Sequence, residues 1–165
     1  MPAPLIRPAM LADLPVINEI YNHCVLHSTC TYQVEPETME GRGKWFVAHG
    51  HKHPVIVLED GGAVVAWGSL SRYHARAAYS ATVENSVYVH HDFHRRGFGR
   101  ALLAELIRLA RLAGHHTIIA AIDAEQAASV ALHREFGFVE AGRLAQLGWK
   151  FNRWLDVIYM QLLLT

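Results

Sequence analysis

The 165-residue chain balances 15 basic against 15 acidic side chains, with 52% hydrophobic and only 18% charged residues. That length fits one domain over 1–165 burying roughly 70% of its unfolded surface, and the apolar content excludes a disordered chain. Zero net charge argues against a general nucleic-acid or polyanion binder, so any anion site must be local.

In chain order, residues 1–7 lack the charged head and long apolar stretch of a signal peptide, and a short strand opens at 6–7. Asp13 is expected to cap a helix that tolerates Pro15 in its first turn, with Ile17, Ile20, Tyr21 and Cys24 along one apolar stripe. Cys24 and Cys30 are too few for a disulfide framework and lack metal-site spacing. Residues 28–36 read as a polar loop carrying Tyr32. A weaker helix covers 38–49, where Gly41 and Gly43 each cost about 1 kcal/mol relative to alanine. The period then changes: strands at 55–58 and 63–70 flank Asp60-Gly61-Gly62, a hairpin signal, and 82–89 is a third strand.

Residues 99–113 carry the clearest helical pattern. Leu102, Leu103, Leu106, Ala110 and Ala113 share a face, and Gly114 stands where a stop belongs. A β-rich run at 117–122, a short helix at 127–136 ended by Gly137, and a terminal strand at 155–163 follow. The order β-α-α-β-β-β-α-β-α-β-β implies an α/β sheet with both antiparallel and parallel pairings. No apolar run reaches the ~20 residues that cross a bilayer. The chain is therefore expected to be soluble, reduced and cytoplasmic, without a membrane or nucleic-acid partner; its apolar tail and aromatics suggest a homodimer.

The most informative stretch runs from Val87-Tyr88-Val89 through Asp92 to Arg95-Arg96-Gly97-Phe98-Gly99-Arg100, which opens the long helix. A helix N-terminus offers unpaired N–H groups and about half a positive charge. Gly97 and Gly99 let backbone approach a ligand, and three arginines add cationic donors. This is the chemistry of a diphosphate cradle; a basic solvated turn is the plainer alternative. The spacing is neither G-x-G-x-x-G nor a P-loop.

His94-Arg95-Arg96-Gly97-Phe98-Gly99 after Val87-Tyr88-Val89 resembles the acetyl-CoA motif [QR]-x-x-G-x-[GA] of the GNAT N-acetyltransferases. The run from Ala128 and Ser129 through His133 to Phe136-Gly137-Phe138 resembles that family's second CoA-contacting helix. Both ends of the chain, with Thr82-Val83-Glu84-Asn85-Ser86, resemble the phosphinothricin and methionine sulfone or sulfoximine N-acetyltransferases. His94 stands where the motif has Gln or Arg, and Gln126 where the family commonly has Asn. The resemblance implies the GNAT fold: a mixed, mostly antiparallel central sheet flanked by about four helices. It also implies acetyl-CoA as co-substrate, held by Val87, Tyr88, Val89, Arg95, Arg96, Gly97, Phe98, Gly99, Arg100, Gln126 and Ser129, and a small-molecule amine as acceptor, with no metal.

Acetyl transfer to an amine requires loss of an amine proton, polarisation of the thioester carbonyl and departure of the thiolate. Glu84 is the only carboxylate in its strand, and the resemblance gives it the role of base. Alternation puts it on one face with Ser86 and Tyr88, and apolar neighbours should raise its pKa; an ion pair with an arginine is the alternative. His133 falls where many of these enzymes have an acid, and packing is its alternative. Arg76 and Tyr79 match the subgroup's substrate-binding Arg-x-x-Tyr, with Tyr32, Tyr88 and Lys150 also at pocket positions; a solvated loop charge is the alternative for Arg76. The twelve histidines include His49, His51, His53, His90, His91 and His94, without H-E-x-x-H, and exposed loops account for them. A protein or peptide N-acetyltransferase and a non-catalytic acyl-CoA-binding module stay open beside the small-molecule enzyme. An open groove, or an Arg76 turned away from the pocket, favours the peptide enzyme.

Overall fold

In the computed structural model, residues 3–165 are described; the first two residues of the leading segment read above lie outside them. Seven strands form one sheet: β1 (Leu5–Pro8), β2 (Val55–Asp60), β3 (Ala63–Arg72), β4 (Thr82–Val89), β5 (Thr117–Asp123), β6 (Val139–Lys150) and β7 (Arg153–Leu163). Their spatial order is β1-β2-β3-β4-β5-β7-β6. Every pair is antiparallel except β4–β5. The helices are α1 (Leu14–His27), α2 (Met39–Val47), α3 (Phe98–Leu112) and α4 (Ala127–Glu135). The mixed, mostly antiparallel sheet with four flanking helices is the expected architecture.

Side-chain alternation divides the core in two. Ile56 and Leu58 of β2, Leu70 of β3 and Val83 of β4 join Leu102, Leu103 and Leu106 of α3 in an aliphatic cluster. Val55, Val57 and Trp67 point the other way, against Leu14, Ile17 and Ile20 of α1. Gly68 lets α3 sit close, because a Cβ there would meet a Leu106 methyl and the Ser86 carbonyl, both at 3.0 Å.

Asp13 does not cap α1. Its carboxylate accepts the Met10 N–H (2.7 Å) and pairs with Arg7 (2.7 Å), closing the short turn Leu11–Asp13 before the helix. The Arg7 guanidinium holds the Asp13 carboxyl below its usual range. Thr38 does cap α2, accepting the Gly41 N–H at 2.9 Å. The β6–β7 hairpin turns on Phe151 and Asn152, both left-handed (φ 52° and 59°), the conformation of a two-residue type I′ turn.

Candidate active site

Strands β4 and β5 pair only from Thr82↔Thr117 to Glu84↔Ile119 and then part. Beyond Glu84, β4 keeps its β3 partner alone, through Val89↔Ala66. His90 N–H reaches Val65 O of β3 at 2.8 Å. Amide directions alternate along a strand, so the amides of Val87 and Val89 face the gap. His94 Nε2 donates to Val89 O across 3.0 Å. The residue that replaces the motif's Gln or Arg thus closes the end of the free edge. Asn85 sits where the strands separate, and its buried Oδ1 lacks a partner among the described residues.

The turn into α3 has two left-handed residues within three positions, Arg95 (φ 61°) and Gly97 (φ 80°). No side chain caps the helix, and a Cβ on Gly97 would meet nothing within 4 Å. The first N–H groups of α3 therefore have no side-chain cap among the described residues, and the space over Gly97 is open. Among the described residues, two of the three arginines are committed to ion pairs. Arg96 pairs with Asp60 (2.9 Å) and lies over Phe93 and Phe98, while Arg100 pairs with Glu135 over Phe136. Arg95 has no ion pair among the described residues. Gln126 turns its amide to Thr29 Oγ1 (3.0 Å) and so ties α4 to the loop after α1.

Glu84, Ser86 and Tyr88 follow one another on the α1–α2 face of β4, opposite Ser71, Ser69 and Trp67. Ser69, Ser86, Trp67 and Tyr88 line a polar cavity of about 180 Å³ roofed by Tyr21, Gln33, Glu37, Arg42 and Trp45. Glu84 is half-buried, and burial raises its pKa. It forms no ion pair among the described residues, so the arginine-paired alternative is not what the structure has. A desolvated carboxylate without a cation is a stronger base than one held by arginine.

His133 is committed elsewhere. Its Nδ1–H donates to Ser129 O (2.7 Å), and its Nε2 accepts from Asn85 Nδ2 (3.0 Å). Burial lowers its pKa, so it is a neutral imidazole whose one proton is already given away. Proton donation by His133 does not fit this geometry; holding Asn85 at the strand gap does.

The five residues expected in the acceptor pocket do not converge. Tyr88 lines the cavity. Tyr32 and Lys150 brace the loop after α1 instead: the Tyr32 hydroxyl bonds the Asp123 carboxylate, and Lys150 Nζ donates to Ser28 O (2.7 Å) and Thr31 O (2.8 Å). Tyr32 packs close on Gly148, where a Cβ would stand 2.5 Å from two ring carbons. Arg76 and Tyr79 lie on an exposed turn, Tyr79 against Tyr73 and His74, and neither lines the cavity. Arg42, which the sequence reading passed over, lines it.

A larger apolar cleft of about 600 Å³ lies between the C-terminal ends of α2 and α3. Among the described residues its lining is apolar apart from His49 and His51, and no carboxylate or permanent cation stands there to orient an amino acid. The histidines are less scattered than expected: His23 stacks on His91 at 3.8 Å between centroids and touches His27, joining α1 to the segment after β4. No helix among the described residues is long and apolar enough to cross a membrane.

Residues 17–138 match the Acetyltransferase (GNAT) family. An L-amino acid N-acyltransferase of Escherichia coli is 41% identical over 158 residues, 95% of this chain and 92% of that protein. An L-methionine sulfoximine/L-methionine sulfone acetyltransferase of Salmonella typhimurium is 40% identical over the same coverage. A Salmonella typhimurium acetyltransferase solved with its cofactor acetyl-CoA superposes with TM-score 0.96 at 39% identity, covering 99% of this chain and 95% of that one. A ribosomal-protein-alanine N-acetyltransferase from Brucella melitensis superposes with TM-score 0.94 at 41% identity, covering 96% and 99%.

Proposed function

The chain belongs to the GNAT acetyltransferase family, and from that premise we propose that it moves the acetyl group of acetyl-CoA to the primary amine of a small amino-acid-like acceptor, with Glu84 as general base. The acceptors are of the methionine sulfone, methionine sulfoximine or phosphinothricin type. The observation that carries the reading is Glu84 itself: a half-buried carboxylate with a raised pKa and no cationic partner among the described residues, on the strand face that lines the polar cavity. The relatives' names support the acceptor class.

The residues fit the co-substrate. Unpaired N–H groups at the start of α3 and the free Arg95 suit its diphosphate, and the free edge of β4 at Val87 suits the amides of its pantetheine arm. Acetyl-CoA supplies an activated acyl carbon when bound; no metal is needed for that. Glu84, directly or through a water, takes the amine proton, which frees the lone pair for attack. An N–H of the β4 edge near Val87 polarises the thioester oxygen. The departing thiolate needs no acid, since a thiol pKa of about 8.5 makes it a good leaving group. His133 then acts by packing, holding Asn85.

A second reading, a peptide N-acetyltransferase, is favoured by two observations: the solved Brucella protein and the exposed position of Arg76. One assay separates the two readings. Thiol release from acetyl-CoA is measured with methionine sulfone, methionine sulfoximine, phosphinothricin, ordinary amino acids and an alanine-led peptide. Turnover with the amino acids and not the peptide supports the first reading; the reverse supports the second. Release with none of them leaves an acyl-CoA-binding module. A cytoplasmic homodimer completes the proposal. Its contact surface would draw on Trp149, Phe151 and Trp154, exposed at the β6–β7 turn. Light scattering gives the mass directly.

A further inference from the structure

The cavity beside β4 holds a buried charge with no ion-pair partner among the described residues. Arg42 of α2 is only 3% exposed. Its Nε donates to Asn18 Oδ1 at 3.1 Å. Its guanidinium carbon lies 4.6 Å from the ring centres of Tyr21 and Trp45 and 5.6 Å from that of Trp67. Those contacts engage the faces of the guanidinium and one of its five N–H donors. No carboxylate among the described residues pairs with it. Glu37, the one acid lining the same cavity, is turned to the Thr38 N–H at 2.8 Å. A buried cation is costly unless an anion meets it. The Nε1–H of Trp67, another cavity residue, is also buried without a partner among the described residues.

We propose that Arg42 is the receptor for the acceptor's carboxylate, and that this cavity selects free α-amino acids over amines whose carboxyl is blocked. The proposal rests on the acetyl-transfer reading above and deepens it. A planar guanidinium, fixed in orientation by Asn18 and the aromatic rings, suits a two-pronged carboxylate contact. Ser69 and Ser86 line the same cavity and offer hydroxyls to the polar end of a side chain. Glu84 lies two residues from Ser86 on the same face, about 7 Å along the strand. An acceptor anchored at Arg42 presents its amine toward β4, on the side where Glu84 stands. Arg76, on its exposed turn, has no part in this contact. In a peptide the carboxylate beside the reacting amine has become an amide, so such an acceptor leaves Arg42 unmatched.

Trp45 and Trp67 line the cavity, so acceptor binding can be followed by tryptophan fluorescence. The full chain with CoA present, which cannot transfer an acyl group, is titrated with L-methionine sulfone and with its primary carboxamide. The wild-type protein should bind the carboxylate at least about 10-fold more tightly, the effect of one charge-assisted contact. Arg42→Gln should bring the two ligands to within about 3-fold of each other. Arg42→Lys, which keeps the charge and loses the fork, should retain part of the preference, and Arg76→Ala all of it. Equal binding by the wild type, no saturable binding of the sulfone, or an undiminished preference in Arg42→Gln overturns the proposal. If circular dichroism shows that Arg42→Gln does not fold, the wild-type ratio and Arg42→Lys decide, and a preference unchanged by Arg42→Lys then counts against the proposal. The titration involves no acetyl transfer. A carboxylate preference without turnover would therefore sink the enzymatic reading and not this one, and turnover without the preference would do the opposite.

Discussion

The two faces of the sheet are built to different rules. Toward α3 and α4, the buried side chains form one mostly aliphatic cluster from Ile56 to Leu162, with Phe98 and Phe138 among them. Toward α1 and α2, Trp67, Tyr21, Trp45 and Tyr88 surround a polar cavity with Arg42 and Glu37, and Glu84 sits farther along the same face. Strand β4 serves both faces. Val83, Val87 and Val89 pack with the aliphatic side, while Ser86 and Tyr88 line the cavity. A one-residue slip in register would exchange the two sets. The larger hydrophobic cluster and the candidate acceptor site thus lie on opposite faces, and the register of a single strand keeps them apart.

That division can be broken by substitution. Leu106→Ala, at a fully buried position on the aliphatic face, should cost about 3–5 kcal/mol of unfolding free energy in a denaturant titration. The Michaelis constants of the folded fraction should not move. Glu84→Gln should do the reverse, lowering kcat about 10²- to 10³-fold with the acetyl-CoA Michaelis constant and the fold unchanged. If Glu84→Gln destabilised the protein as Leu106→Ala does, the separation of the two faces would be wrong.

The glycines of the α3 turn sharpen the picture. Gly97→Val forces a branched side chain into a left-handed backbone, at about 1–3 kcal/mol of strain, and fills the space before α3. Calorimetry should show weaker CoA binding. At Gly99 the same test should show little change with alanine, because a Cβ there meets Leu132, Val89 and Val87 only at 3.8–3.9 Å.

The parts that the sequence made legible are those with one wet and one dry side. Residues 82–89 alternate, and residues 99–113 carry a stripe, so β4 and α3 were found nearly to the residue. Strand β6 is exposed along almost all of its 12 residues, so no alternation betrayed its limits. The cradle turn was legible because glycine and arginine at a helix start have few other uses. Arg42 was missed because a lone arginine in a short, weakly amphipathic helix looks solvated. Its one signal was Trp45 three residues on, the neighbour on the same helix face. Tyr32 and Lys150 matched pocket positions by resemblance, yet their polar atoms hold the 28–32 loop. Contacts between segments so far apart in the chain leave no local pattern.

The central claim is that the α1–α2 face owes its chemistry to the desolvated Glu84. The direct test is the pH dependence of kcat/KM for methionine sulfone in the wild type and in Glu84→Gln. Burial disfavours the charged form and raises the Glu84 pKa, so the base is lost as pH falls through a value above the ordinary carboxylate range. The account predicts an acid limb there in the wild type and none in the variant. The same limb in both proteins would contradict it.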